Sequence, residues 1–206
     1  MTARVLLVAT RSPHKLAELR ALLHLPATRL ISLDEAGIAD EAPEEGNTFD
    51  ENAIFKARFY AARSGLPTLA DDSGIEVDAL GGGPGVRTRR FAGEDASDEA
   101  NNAKMLAALA GLPPDQRRAR YRCTLAFVEP EVDPTRATIR RGTFEGRIAT
   151  GARGKGGFGY DPIFEPLSEP PGGRTVGLFS SEEKSRVSHR ARAAAAMRRV
   201  LRARGY

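Results

Sequence analysis

Apolar and polar positions follow two different periods along this chain, and the switches between them predict an α/β fold. Residues 5–9 are a continuous apolar run of buried-strand length. Ser12 and Pro13 then supply the N-cap and first position of a helix, with Leu16, Leu19, Leu22 and Leu23 at helical spacing. Residues 30–33 predict a second short strand. Thr48 and Glu51 form a capping box for a helix reaching about Arg63, with Phe49, Ile54, Ala57 and Ala61 on its buried face. Leu69-Ala70 and residues 75–77 read as two strands flanking an acidic turn, and Gly81-Gly82-Gly83-Pro84-Gly85 as a loop. Ser97 caps a helix through about Leu109. Residues 121–129 and 137–149 predict long strands, antiparallel neighbours across a turn at 130–134. A glycine loop at 151–159 and a helix rich in Ala and Arg, ending near Arg204, complete the chain. Helices alternate with strands early and strands dominate later, which predicts a mixed sheet. Neither a repeat nor a long linker divides the 206 residues, so one domain is expected.

Composition narrows the class. Hydrophobic residues make up 41% of the chain, enough for a core. No apolar run approaches the roughly 20 residues of a membrane span, and the N-terminal run is too short for a secretory signal. The single cysteine, Cys123, excludes an internal disulfide and fits a reducing compartment; its place in an apolar alternation makes it a buried strand thiol. A cytoplasmic protein without a membrane partner is expected. The net charge of +4 suits nucleic acid or a phosphorylated small molecule. Aromatics are only 6% and do not interleave with the basic residues, which argues against a stacking platform for single strands. The Arg-rich stretch 186–204 therefore reads as a solvated helix face, with no stable nucleic-acid partner.

Four segments carry candidate chemistry. Asp71-Asp72-Ser73-Gly74 follows an apolar run; two adjacent carboxylates repel, and Mg²⁺ bound by one or two carboxylates and by phosphate oxygens would relieve that. The same residues also form turns, so the motif alone leaves both readings open. Thr10-Arg11-Ser12-Pro13-His14-Lys15 joins a strand to a helix N-terminus, a ready anion site to which Lys15 adds a full charge. Glu44-Glu45-Gly46 precedes the helix carrying Lys56 and could join Asp71 and Asp72 around a metal. Gly154-Lys155-Gly156-Gly157-Phe158-Gly159-Tyr160-Asp161 fails the Walker A pattern, because Ala149 and Gly156 stand where Gly and Ser or Thr are required. It reads instead as a flexible loop delivering Phe158, Tyr160 and Asp161, with aromatics suited to stacking on a planar base; for Phe158 a hydrophobic plug over the core is the open alternative. In the last helix Ser180 and Glu183 form a capping box and Ser188 offers a second start. Lys184 and His189 would lie about 140° apart on a continuous helix, so they face different things or the helix breaks between them.

Taken in order, these residues resemble the inosine triphosphate pyrophosphatase family, the Ham1-like group. The resemblance runs through Thr10 to Lys15, Thr48 to Ala53, Asp71 to Gly74, Leu80 to Gly85, Phe91 to Ala96, Gly156 to Pro162 and Glu183 to Arg190. It implies an elongated α/β fold of two lobes around a central mixed sheet, a ligand cleft between the lobes, and a homodimer. It implies Mg²⁺-dependent hydrolysis of ITP, dITP and XTP to the monophosphate and pyrophosphate. Thr10, Ser12, Lys15, Lys56 and Lys184 would contact the triphosphate, within a segment that also includes Arg11, Pro13 and His14. Glu44 and Asp72 would hold Mg²⁺, and Asp72 would serve as base for the attacking water, with Asp71 helping to orient it. Ser73, Phe158, Gly159, Tyr160, Asp161, His189 and Arg190 would surround the nucleoside. Ser12 stands where the family usually has Asn, and Arg11 where it often has Gly. A non-catalytic nucleotide sensor and an RNA-binding protein are the alternatives; clustered acids weigh against the first.

Overall fold

The computed structural model describes residues 4–43, 45–133 and 135–206. Six strands form one sheet in the order β2-β1-β3-β4-β5-β6. They are β1 Arg4–Ala9, β2 Thr28–Ile31, β3 Thr68–Val77, β4 Arg118–Val128, β5 Thr138–Ile148 and β6 Phe164–Pro166. The helices are α1 Pro13–Leu23, α2 Phe49–Ser64, α3 Asp98–Ala108, α4 Ser181–Val187 and α5 His189–Ala203. β1 pairs in parallel with β2 and with β3, whereas β5 and β6 are antiparallel. Arg120 meets Glu145 and Arg122 meets Thr143, so β4 and β5 also run in opposite senses. The sheet is mixed, as the pattern predicts.

The chain divides into two compact units: Met1–Asp72, Cys123–Gly142 and Arg190–Tyr206 form the first, Ser73–Arg122 and Thr143–His189 the second. In the first unit the sheet is covered on both faces. Leu6, Val8, Leu69, Leu125 and Phe127 pack with Leu19 and Leu23 of α1 and with Ala193, Ala194, Met197 and Leu201 of α5. Their strand neighbours Leu7, Ala9, Ala70, Ala126 and Val128 pack with Ala53, Ala57, Tyr60 and Ala61 of α2. In the second unit one face holds the core, where Ile75, Val77, Ala119, Tyr121, Phe144 and Ile148 meet Met105, Leu109, Ile163 and Phe164. The other face carries ion pairs, Arg120 with Asp78 at 2.6 Å and Arg122 with Glu76 at 3.1 Å. β4 records the change in its own sequence. Arg118-Ala119-Arg120-Tyr121-Arg122 alternates, while residues 123–128 are buried without interruption, as a strand covered on both faces requires.

The helix starts lie where side chains can satisfy the first backbone N–H groups. Ser12, Thr48, Ser97 and Ser180 all occupy N-caps, and Thr48 with Glu51 and Ser180 with Glu183 complete capping boxes. Other elements differ from expectation. β2 begins two residues earlier than predicted, and β6 has no counterpart in the sequence reading. The last helix is two helices, broken at Ser188, whose ψ of 159° is extended. The buried stripe of α2 holds Asn52, Ala53, Lys56, Ala57, Tyr60 and Ala61, with Ile54 half-buried against it and Phe49 half-buried at the helix start, so polar residues occupy core positions in its first half. The acidic turn does not exist: residues 68–77 are one continuous strand. Consecutive strand residues project to opposite faces, which separates Asp71 from Asp72.

Candidate active site

Asp72 lies on the α2 face of β3. Its Oδ1 is 2.8 Å from Lys56 Nζ, and its Oδ2 accepts from Asn52 Nδ2 at 3.3 Å. Lys56 and Asn52 are one helical turn apart, so both reach the same strand residue. Asn52 Oδ1 in turn accepts from the Gly46 N–H at 2.8 Å, and a side chain at 46 would overlap that amide oxygen. Gly46 is thereby tied to the residue that holds Asp72. Glu45 is exposed; Glu44 lies outside the described residues.

Asp71 lies on the opposite face, among α1 and α5, and its side chain is fully buried. Lys15 Nζ is 2.7 Å from Oδ1, Arg190 Nε donates to Oδ2 at 3.0 Å, and the Cys123 thiol lies 3.2 Å from Oδ2. Arg190 also donates to Glu18 at 2.5 Å. Burial opposes the Asp71 charge, but Arg190 and Lys15 outweigh it and hold the carboxyl well below the usual carboxylate range. Burial, and then Asp71, push the Cys123 thiol well up, so it stays a neutral donor. Lysine and arginine thus partner the two acids, one set on each face, and among the described residues Asp71 and Asp72 do not join one carboxylate cluster. Asp71 is not available to orient a water beside Asp72. Arg190, expected at the nucleoside, has its guanidinium on Asp71 and Glu18.

The strand-to-helix turn keeps its expected form. The Ser12 N–H donates to Thr10 Oγ1 at 3.1 Å, and Ser12 Oγ accepts from the Lys15 N–H at 3.3 Å. Pro13 and His14 are exposed in the first turn of α1. Arg11 does something not anticipated from the sequence: its guanidinium binds Asp34 and the carbonyls of Ile38, Ala39 and Asp40. It holds that loop in place rather than projecting toward a ligand.

In the second unit Asp161 is the organiser. Its buried carboxylate accepts from Lys184 Nζ at 2.8 Å, Tyr121 Oη at 3.2 Å and the Phe158 N–H at 2.9 Å. Lys184 lies over the Phe158 ring, 4.2 Å from its centroid. The loop expected to be flexible is pinned. Gly156 N–H donates to Gly177 O, Gly159 N–H to Asp98, and Asn102 to Gly159 O. Tyr160 is not a stacking platform: it is 2% exposed and its hydroxyl donates to Thr88 O at 2.8 Å. Ser73 is half-buried on β3. His189, also buried, stacks on Tyr121 with centroids 4.6 Å apart. Gly157 has φ +74°, and a Cβ there would overlap the Asp161 carboxylate. Gly157→Ala is therefore expected to cost at least about 1–2 kcal/mol and to displace Lys184; an unchanged melting temperature and substrate KM would contradict this.

Among the described residues no three His, Cys, Asp or Glu side chains converge to hold a metal. A magnesium carried by phosphates asks less, one or two carboxylates, and Asp72 fits that. Asn52, Glu18, Asp98, Asn102 and Tyr121 were not singled out from the sequence. The signal for Asn52 was legible: a polar residue on the stripe shared with Ala53 and Ala57.

A profile of the Ham1 family matches residues 6–200. A Geobacter sulfurreducens protein named dITP/XTP pyrophosphatase is 48% identical over 194 residues, 94% of either chain. A Shigella flexneri protein of the same name is 45% identical over 186 residues, 90% of this chain and 92% of its own. Among solved structures, a HAM1 protein from Coxiella burnetii has a TM-score of 0.85 at 41% identity, covering 96% of this chain and 98% of that one. The Staphylococcus aureus Ham1 protein has a TM-score of 0.85 at 34% identity, covering 98% and 100%.

Proposed function

Because the chain belongs to the Ham1 family, we propose that it hydrolyses the non-standard purine triphosphates ITP, dITP and XTP to the monophosphate and pyrophosphate. The observation that supports this reading best is the set of three lysines, each oriented by a buried carboxylate. Lys15 is held by Asp71, Lys56 by Asp72 and Lys184 by Asp161, at 2.7–2.8 Å. An ammonium is a compact point charge on a flexible stem, and a buried carboxylate fixes where that charge sits. Phosphoryl transfer needs positioned charge more than covalent chemistry from the protein. The N-terminus of α1 adds backbone donors for a phosphate.

Asp72 accepts the proton of the attacking water, with Asn52 and Lys56 fixing its orientation. Mg²⁺ would be held by Asp72 with Glu44, and would neutralise charge on the phosphates. His189 reads the base through the 6-oxo group, which accepts a hydrogen bond where the adenine 6-amino group donates one. A buried donor left unpaired by the wrong base discriminates strongly. Arg190, adjacent in the chain, is held on Asp71. A homodimer working in the cytoplasm belongs to the same reading; no helix among the described residues is long and apolar enough to cross a membrane.

The test is pyrophosphate release from ITP, XTP, dITP and ATP with and without Mg²⁺. Release from the first three that stops on chelation of the metal is expected. Tight nucleotide binding without release would leave a sensor instead. His189→Ala is expected to lower the ITP-over-ATP ratio of kcat/KM by roughly tenfold, the worth of one hydrogen bond. An unchanged ratio would move base recognition elsewhere.

A further inference from the structure

We propose that Tyr121 is a positioning residue for base selection, its ring setting the plane of the His189 imidazole. The inference rests on the reading of His189 given above. Tyr121 sits on β4 and is 7% exposed. The two rings are nearly parallel, 10° between planes with centroids 4.6 Å apart. The tyrosine ring is itself held at both ends. Phe164 packs against it at 4.7 Å and 50°, and Phe144 in turn against Phe164 at 5.4 Å. At the far end the hydroxyl donates to Asp161 Oδ1 at 3.2 Å, and burial, with Asp161 next, keeps the phenol protonated. Asp161 is tied by Lys184 and the Phe158 N–H. The imidazole thus lies on a platform that cannot easily rotate.

The consequence follows from hydrogen-bond geometry. An imidazole N–H points in the plane of its ring, and a hydrogen bond weakens steeply as it bends. A donor that could swing would follow whatever atom a base presents, and selectivity would fade. Discrimination against a mismatched base requires a donor that stays where it is and is left unpaired. Stacking on Tyr121 removes the torsional freedom that would otherwise let His189 escape that penalty. The ring supplies the plane, and the hydroxyl only ties the ring to Asp161, so the two parts are separable by substitution.

The test compares kcat/KM for ITP and ATP in the Mg²⁺-loaded wild type, Tyr121→Phe, Tyr121→Leu and His189→Ala. Tyr121→Phe keeps the platform and is expected to hold the ITP-over-ATP ratio within about twofold. Tyr121→Leu keeps apolar bulk but no plane, and a fall of roughly tenfold is expected, matching the loss of one aligned hydrogen bond. A ratio is insensitive to the fraction of folded enzyme, so lost stability alone does not move it. A Leu variant that keeps the wild-type ratio while His189→Ala lowers it would overturn the inference and leave the base reading standing. A ratio unmoved by His189→Ala removes that reading, and the inference with it. A Phe variant as unselective as Leu makes the hydroxyl the device and also refutes the claim. Should the Leu variant not fold, the wild type still decides. With only three histidines in the chain, the His189 ring protons can be assigned by NMR, and an upfield ring-current shift is expected in the wild type and in Tyr121→Phe. Its absence would contradict the stacked arrangement in solution.

Discussion

Asp72→Asn is expected to abolish ITP hydrolysis, lowering kcat by about 10²–10⁴-fold, the usual worth of a general base, with a further loss wherever it also binds the metal. An amide has nearly the same shape as the carboxylate and still accepts from Lys56, but it cannot take up the proton of a water or carry charge to a cation. The fold should survive. The Lys56 and Asp72 side chains are each 11% exposed, so the ammonium keeps a path to water along its flexible stem. Circular dichroism and melting temperature report the fold, and pyrophosphate release with ITP reports turnover. Near-wild-type activity in this variant would refute the assignment of Asp72 as base.

Asp71→Asn, one residue away, is expected to act mainly on stability. Asp71 and Arg190 are essentially inaccessible, 0% and 1% exposed, and Lys15 shares the same carboxylate. Neutralising Asp71 takes away the carboxylate that Arg190 and Lys15 share, and breaking such a buried pairing typically costs about 3–5 kcal/mol. For a chain of this size that is a fall in melting temperature of roughly 10 °C. The effect has a pH signature. The Asp71 carboxyl titrates well below its ordinary value in the fold, so its contribution is complete above the unfolded value near 3.9 and is lost as pH falls toward the folded one. The stability gap between wild type and Asp71→Asn should be constant from about pH 5 to 8 and narrow below about pH 4. Urea unfolding across that range measures it. A gap that stays level into strong acid would show that the Asp71 charge is not what stabilises the site.

The contrast between these two neighbours defines the chemistry that adjacency in sequence conceals. As a pair of acids they invite a shared metal. As consecutive residues of β3 they belong to different layers, one under α1 and α5, the other under α2. The three lysines expected at the phosphates are each paired with one buried carboxylate, Lys15 with Asp71, Lys56 with Asp72 and Lys184 with Asp161. A positive charge in the first turn of α1, unfavourable for that helix, is explained by the buried anion it meets.

Sequence alone determined whatever depends on neighbours a few residues apart. The caps at Ser12, Thr48, Ser97 and Ser180 close bonds over three residues, the stripe of α1 repeats at helical spacing, and β1 is a run long enough to bury. The ordered motifs also carried the family. Only the tertiary structure decided which face each acid occupies, that Arg11 clamps a loop, that the 151–159 segment is pinned, and that Tyr121 underlies His189. Those depend on contacts such as Arg190 with Asp71, 119 residues apart. Local propensity carries no information about such partners, because closing so long a loop is favourable only once the whole sheet and its covering helices assemble.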